Sequence, residues 1–237
     1  MVNFELLAWD TEFFGFKVAR IPDQKLSGDQ LATIFENLKK LGIRLVYFAS
    51  TVELLLNQSS ISLFNGILVD RKITYKKEIV ATNQADQHIS SFQKGIDDEE
   101  ILIQLAIEAG EFSRFNTDPN IDKNSFQKLF RLWMENALAQ KTDTHVLVYK
   151  EQNEICGMVT LKLKDGIGNI DLIAVRQDFR GRGMGKKLLI AAETNLNNKT
   201  DQVSVVTQSR NSLACRLYES FGFELANQVY FYHFWLK

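Results

Sequence analysis

The chain has 237 residues, 45% of them hydrophobic and 24% charged, with 17 Phe and only 2 Pro. At roughly 100–200 residues per domain this is one large domain or two small ones, and so little proline argues against a linker-rich or disordered chain. The formal charge is −1, from 28 Lys and Arg against 29 Asp and Glu, so no global field draws the protein to nucleic acid or anionic lipid. Cys156 and Cys215 stand far apart with no CxxC spacing and no His beside them, which excludes a zinc site and a disulfide framework as readings. His88, His145 and His233 are isolated, and no metal is expected. MVNFELLAWDTEFFGF has neither a basic start nor an unbroken apolar stretch, and no segment approaches the roughly 18 consecutive apolar residues of a membrane span. The expectation is a cytoplasmic protein with reduced cysteines.

In chain order, FKVARI (16–21) reads as a short strand. Residues 28–42 place Leu31, Ile34, Phe35, Leu38 and Leu41 at helical spacing and end on a glycine. IRLVYFAS (43–50) is short, apolar and aromatic, a buried strand. A helix-like stretch runs from Val52 to about Phe64, Asn65-Gly66 breaks it, and a strand pair is expected through Ile79. The middle is helical. Residues 97–112 open with acidic side chains suited to the positive end of a helix dipole, and residues 124–139 carry Phe126, Leu129, Phe130, Trp133 and Leu138. NTDPN (116–120) between them is a turn.

From Thr144 the period changes to two. HVLVYK, CGMVTLKL and NIDLIAV form a three-strand antiparallel meander, followed by RQDFRGRGMG, a helix, the strand VSVVTQ, a second helix and an aromatic terminal strand. IRLVYFAS–helix–LFNGILVDRKITY echoes VSVVTQS–helix–SFGFELANQVYFY, with Gly66 in the role of Gly222. Either two related α/β units or a chance match of common patterns accounts for it.

The chemistry sits in residues 180–186. Gly181, Gly183 and Gly185 lie between a strand and an amphipathic helix. Glycine lets backbone N–H groups approach a ligand without a Cβ in the way, and the helix start adds unpaired donors. A Walker loop is excluded because Arg180 stands where its first Gly should and Lys187 where its Ser or Thr should; the dinucleotide fingerprint fails because the glycines are spaced two and two. The remaining R-x-x-G-x-G pattern resembles the acetyl-coenzyme A loop of the GNAT acetyltransferase superfamily. The run N-x-x-A-x-x-x-Y-x-x-x-G-F from Asn211 to Phe223 resembles that superfamily's second cofactor segment. This resemblance covers residues 79–237. WDTEFFGFKVARI, EFSRF, LWMENAL and the aromatic terminal strand together resemble the TDP-fucosamine acetyltransferase family, GNAT proteins with an added N-terminal unit like a partial GNAT fold.

The resemblance implies an α/β GNAT fold with a central mixed, mainly antiparallel sheet flanked by helices, residues 79–237, behind a smaller α/β unit, residues 1–78. It implies acetyl-CoA as cosubstrate and a nucleotide-linked 4-amino-4,6-dideoxy sugar as acceptor. Tyr218 occupies the position of the acid that protonates the leaving thiolate, the alternative being a packing tyrosine. Asp171 is a water-linked base or simply a solvated strand-end carboxylate. Ile173 and Val175 would pair with the pantetheine arm, and Arg180, Gly181, Arg182, Gly183, Met184, Gly185 and Lys186 would hold the pyrophosphate. Asn211 either bonds the pantetheine or caps its helix, a role Ser209 contests. For the acceptor, Ser113, Arg114 and Phe115 lie in the turn between the first two helices of the GNAT segment. Arg114 suits a diphosphate and Phe115 a base or sugar. Trp133 and Asn136 share a helix face, with core packing as the default for Trp133. Two other readings stay open, a GNAT enzyme acting on a protein N-terminus or polyamine, and a non-catalytic acyl-CoA-binding module. The aromatic terminal strand either pairs across a homodimer axis or is covered within the monomer.

Overall fold

Periodicity and end signals act together in setting the elements. Ser27 starts a helix because its hydroxyl accepts from the Gln30 N–H while the Gln30 side chain accepts from the Ser27 N–H, a reciprocal cap. Asp98 and Asp122 cap two further helices through carboxylates that accept first-turn N–H groups. The computed structural model describes residues 4–22, 26–56, 62–80 and 86–236. In order the elements are β1 (Glu5–Leu6), α1 (Ala8–Phe14), β2 (Val18–Ile21), α2 (Gly28–Lys40), β3 (Leu45–Ser50) and β4 (Gly66–Glu78). There follow β5 (Ile89–Ser91), α3 (Glu99–Ala109), α4 (Arg114–Thr117), α5 (Lys123–Leu138), β6 (His145–Glu151), β7 (Glu154–Lys164) and β8 (Ile167–Val175). The last four are α6 (Met184–Leu196), β9 (Gln202–Gln208), α7 (Ser212–Ser220) and β10 (Glu224–Trp235).

The chain divides into two compact units. The first comprises Met1–Lys72, Ser113–Ile121 and Gln228–Lys237, and the second Ile73–Phe112 and Asp122–Asn227. In the first, the strand order is β1-β2-β3-β10-β4. β2 runs parallel to β3 over Val18–Ile21, and β10 lies antiparallel to β3 from Tyr230↔Ser50 to Trp235↔Leu45. Its core joins Leu31, Ile34, Phe35 and Leu38 of α2 to Val46, Phe48, Tyr232 and Phe234. The terminal strand is therefore interior to this sheet, covered within one chain, and is not an edge available for pairing across a dimer axis.

In the second unit the order is β4-β9-β8-β7-β6-β5. β5 to β8 form the expected antiparallel meander, while β9 is parallel to β8. Residues 155–161 of β7 are all buried, as befits a strand with helices over both faces. One cluster packs α6 and α7 on the sheet through Leu188, Leu189, Val205 and Tyr218; another packs α3 and α5 through Leu102, Leu105, Met134 and Leu138.

Two expectations fail in the first unit. The stretch from Val52 is irregular, and its only regular piece among the described residues is a 3₁₀ turn at Ser62–Phe64; part of it, 57–61, lies outside the described residues. β4 is one strand of 13 residues, not a pair. Gly66 also does not play the part of Gly222. Gly222 has φ +90, whereas the left-handed residue at the first site is Asn65, φ 48. Gly66 is small for another reason, since a Cβ there would lie 2.4 Å from Phe234 Cε1.

Candidate active site

The second unit contains a parallel strand pair that opens. β8 and β9 are in register only at Gly168↔Val203, Asn169↔Ser204 and Ile170↔Val205. Beyond Ile170 the register of β8 against β7 shifts, with Ile170 opposite Leu161 and Leu172 opposite Thr160, so Asp171 is the unpaired residue of a β-bulge. A bulge bends its strand and increases the local twist. The buried Thr160 hydroxyl accepts the Leu172 N–H at 2.9 Å and holds the bulge in place. From 172 to 175, β8 pairs with β7 alone, leaving backbone groups on its other side for an extended ligand.

The glycine loop follows directly. Gly181 and Gly183 have φ +78 and +77, conformations that favour glycine, and a Cβ at either would meet nothing within 4 Å. Gly183 is the N-cap of the 13-residue α6 and supplies no capping side chain. The first-turn N–H groups therefore lack acceptors by helix geometry and favour an anion. Phe179 organises the approach, with the Arg176 and Arg182 guanidinium carbons 4.5 and 4.9 Å from its ring centroid. Lys186 is exposed. Arg180 is tied down: Nη2 donates to Glu108 at 2.9 Å and Nε to the Val175 carbonyl at 2.9 Å. In this arrangement the Val175 carbonyl already has a donor. Arg182 donates to the Asp178 carbonyl at 3.1 Å.

Tyr218, on α7, is 3% exposed and packs with Ile173, Val175, Met184 and Leu217 around one cluster. A Cβ at Gly185 would come 3.1 Å from Leu217, so the start of α6 abuts the residue next to Tyr218. Its ring meets those of Tyr75 and Phe223 at 5.9 and 5.8 Å, and its hydroxyl makes no hydrogen bond among the described residues. Burial, with Cys215 adding to it, pushes the phenol well above its ordinary range and keeps it protonated. Asn211 caps α7, its side chain accepting the Ala214 N–H at 3.1 Å. Asp171 is ion-paired with Lys162 at 2.7 Å, both about one-third exposed.

The acceptor candidates fall elsewhere. Ser113, Arg114 and Phe115 belong to the first unit, where Ser113 precedes α4 and Phe115 is buried. Arg114 stands over the rings of Tyr47, Phe115 and Phe231. Trp133 is 43% exposed, against the default of core packing, with its ring 5.0 Å from that of Phe130; Asn136 is half-buried on the same helix. Sequence reasoning missed Thr160, Glu108 and the Tyr75–Glu219 hydrogen bond of 2.6 Å that ties β4 to α7. Each acts across a long sequence separation, and no local motif signals it. Among the described residues no group of three His, Cys, Asp or Glu could hold a metal, and no helix is long and apolar enough to cross a membrane.

Residues 119–233 match the family model described as the Acetyltransferase (GNAT) domain. The chain is 30% identical over 139 residues to the spore coat polysaccharide biosynthesis protein SpsD of Bacillus subtilis (strain 168), a match covering 58% of this chain and 48% of that one. It is 34% identical over 67 residues to N-alpha-acetyltransferase 30 of Saccharomyces cerevisiae (strain ATCC 204508 / S288c), covering 28% of this chain and 38% of that one. The matches thus span about half or less of the length of these relatives. A GCN5-related N-acetyltransferase from Sphaerobacter thermophilus has the same fold, with a TM-score of 0.60 at 16% identity over 99% of this chain and 76% of that one. Family model, fold and the opened β8–β9 pair agree in what this chain is similar to, a GNAT acetyltransferase domain.

Proposed function

We propose that the protein is an acetyl-CoA-dependent N-acetyltransferase whose acceptor is the amine of a nucleotide-linked amino sugar, of the dTDP-4-amino-4,6-dideoxygalactose type. The observation that carries the transferase reading is the parted β8–β9 pair leading into a glycine loop and an uncapped helix start. An extended pantetheine arm suits the backbone of β8 that β9 leaves unpaired near Ile173 and, where Arg180 releases its carbonyl, Val175, and a pyrophosphate suits the amides of 181–186. The sugar acceptor is supported by the similarity to a protein named for polysaccharide biosynthesis.

In the transfer, the amine nitrogen attacks the thioester carbonyl, a C–N bond forms, and the C–S bond breaks. Tyr218 gives its phenolic proton to the departing sulfur, and the ammonium proton leaves through water. Burial favours this role by keeping the phenol neutral. Asp171, ion-paired with Lys162, is the proposed water-linked base. The match to N-alpha-acetyltransferase 30 favours a second reading, with a peptide N-terminus as acceptor.

The test is thiol release from acetyl-CoA with the amino-sugar nucleotide, a peptide and a polyamine run side by side. Turnover with the nucleotide sugar alone is expected, and turnover with the peptide alone would replace the acceptor. Tyr218→Phe should lower kcat by about 10²–10⁴-fold while acetyl-CoA still binds. Unchanged turnover would remove Tyr218 from the acid role.

A further inference from the structure

Ten Lys and Arg side chains pair with a carboxylate among the described residues. Arg20 pairs with Glu5, Arg71 with Glu53, Arg131 with Glu100 and Arg176 with Asp178. Lys72 and Arg114, both in the first unit, are not among them: among the described residues neither makes an ion pair or donates a hydrogen bond. Both are half-buried, where water screens charge poorly. They meet at one aromatic ring, with Lys72 Nζ 5.7 Å and Arg114 Cζ 5.1 Å from the centroid of Phe231. Burial lowers both groups below their ordinary ranges, and on Lys72 the charge of Arg114 adds to that lowering, so the two cations repel one another.

Two of the carboxylates around them are committed to other donors. Asp10 accepts from the Tyr47 hydroxyl at 3.1 Å, and Asp118 from His233 and Trp235. Asp70 acts on both cations at a distance, outside ion-pair range. Cation–π contacts with Tyr47, Phe115 and Phe231 stabilise the Arg114 charge but provide no acceptor for its N–H groups. Arg114 Nε is buried with no acceptor, and the adjoining Ser113 Oγ is buried with no partner. An unmet guanidinium donor is a costly arrangement unless an anion completes it.

We propose that Lys72 and Arg114, flanking Phe231, bind the two phosphoryl groups of a diphosphate ester. Two cations match the two negative charges of such an ester, and the guanidinium fork suits phosphate oxygens. As an assignment to the acceptor's diphosphate, this rests on the nucleotide-sugar reading above; as an anion site it stands on the geometry alone.

Titration of dTDP, thymidine and inorganic pyrophosphate into the full chain, followed by calorimetry, tests it. The wild type should bind dTDP more tightly than thymidine, and Lys72→Gln and Arg114→Gln should each weaken dTDP by about tenfold or more. Thymidine and acetyl-CoA affinities should stay unchanged. Arg114→Lys, which keeps the charge and loses the fork, should fall between. If Arg114→Gln fails to fold, the half-buried Lys72→Gln carries the test. Wild-type affinity for dTDP in the folded variants, or equal binding of dTDP and thymidine by the wild type, overturns the site. Phosphate binding that depends on these two residues without turnover of any nucleotide sugar would sustain the site and discard the acceptor. Turnover of the nucleotide sugar with an unaltered KM in both variants would do the reverse.

Discussion

His233 is fully buried on β10, with Nδ1 2.6 Å from Asp118 Oδ2; Trp235 Nε1 donates to the same oxygen at 2.9 Å. Burial pushes the imidazole down to about 4 from an ordinary 6.5, overcoming the upward pull of the Asp118 hydrogen bond, and the nearby Arg114 charge lowers it further. Burial alone would raise the Asp118 carboxyl, yet the bonds from His233 and Asn120 hold it below its ordinary range. The folded pair is therefore neutral imidazole and carboxylate. In the unfolded chain the imidazole takes its proton first, so this stability is fully present above about pH 6.5. It falls as the pH drops towards 4, by up to about 3 kcal/mol. The urea midpoint should decline over that window, and His233→Gln should flatten the decline whatever its effect at pH 7.5. His145, lowered by burial and by Lys199, accounts for a residual slope. An undiminished slope in His233→Gln would show that the imidazole is already protonated in the fold. The sequence displays His233 as an isolated histidine because its partner lies 115 positions away. By contrast the run around Tyr218 is local, from Asn211 at the N-cap of α7 to Phe223 just past its end.

At the scale of elements, both units contain a parallel pair joined through a helix, and the two differ where a ligand would enter. β2 and β3 stay in register from Val18↔Leu45 to Ile21↔Phe48, whereas β8 and β9 part after three pairs. The first unit also lacks a glycine loop before its helix, which Ser27 caps with its own side chain. In the second unit the corresponding helix start is left unfilled, and Gly183 is what leaves it so. Gly183→Ala places a side chain at φ +77 with open space around it, so the strain is confined to the backbone, about 1–2 kcal/mol. It should also weaken acetyl-CoA binding by about tenfold, because relaxing the strain turns the first-turn amides away. Gly95→Ala, at φ +80 and equally open, should lose similar stability while binding acetyl-CoA normally. Equal affinity in both variants would detach the loop from the cosubstrate. The glycine spacing made this element legible from sequence. The opening of the strand at 171–175 was implied by the family resemblance, but not by the residues themselves, because it depends on a bulge at Asp171 and on a Thr160 hydroxyl from the neighbouring strand. The stretch after Val52 misled for a related reason: its apolar residues suit a helix, but Leu54 is held as irregular backbone by a 2.7 Å bond from its N–H to the Tyr232 hydroxyl, 178 residues on.

For the whole molecule, the two halves of the sequence exchange strands between the units. Residues 73–78 of β4 belong to the second unit, and residues 228–235 of β10 to the first. The echo between the two halves was readable as a shared pattern, but a boundary at 78/79 treats the first unit as continuous. No local property of the terminal strand indicates which sheet takes it. The consequence is testable with residues 1–78 alone. That fragment lacks Tyr232 and Phe234, both fully buried, and the Phe234 ring lies 4.3 Å from that of Phe35. It also lacks Thr117, whose hydroxyl donates to the Val69 carbonyl at 2.5 Å. Removing β10 would expose the edge of β3 and part of a core that is small to begin with. The fragment should show no cooperative thermal transition and little strand signal by circular dichroism. A fragment extended by a flexible linker to residues 228–237 should regain part of both, since the missing strand then returns at high effective concentration. A sharp melt in residues 1–78 alone would instead make the N-terminal segment an autonomous domain and reduce β10 to an ornament on its edge.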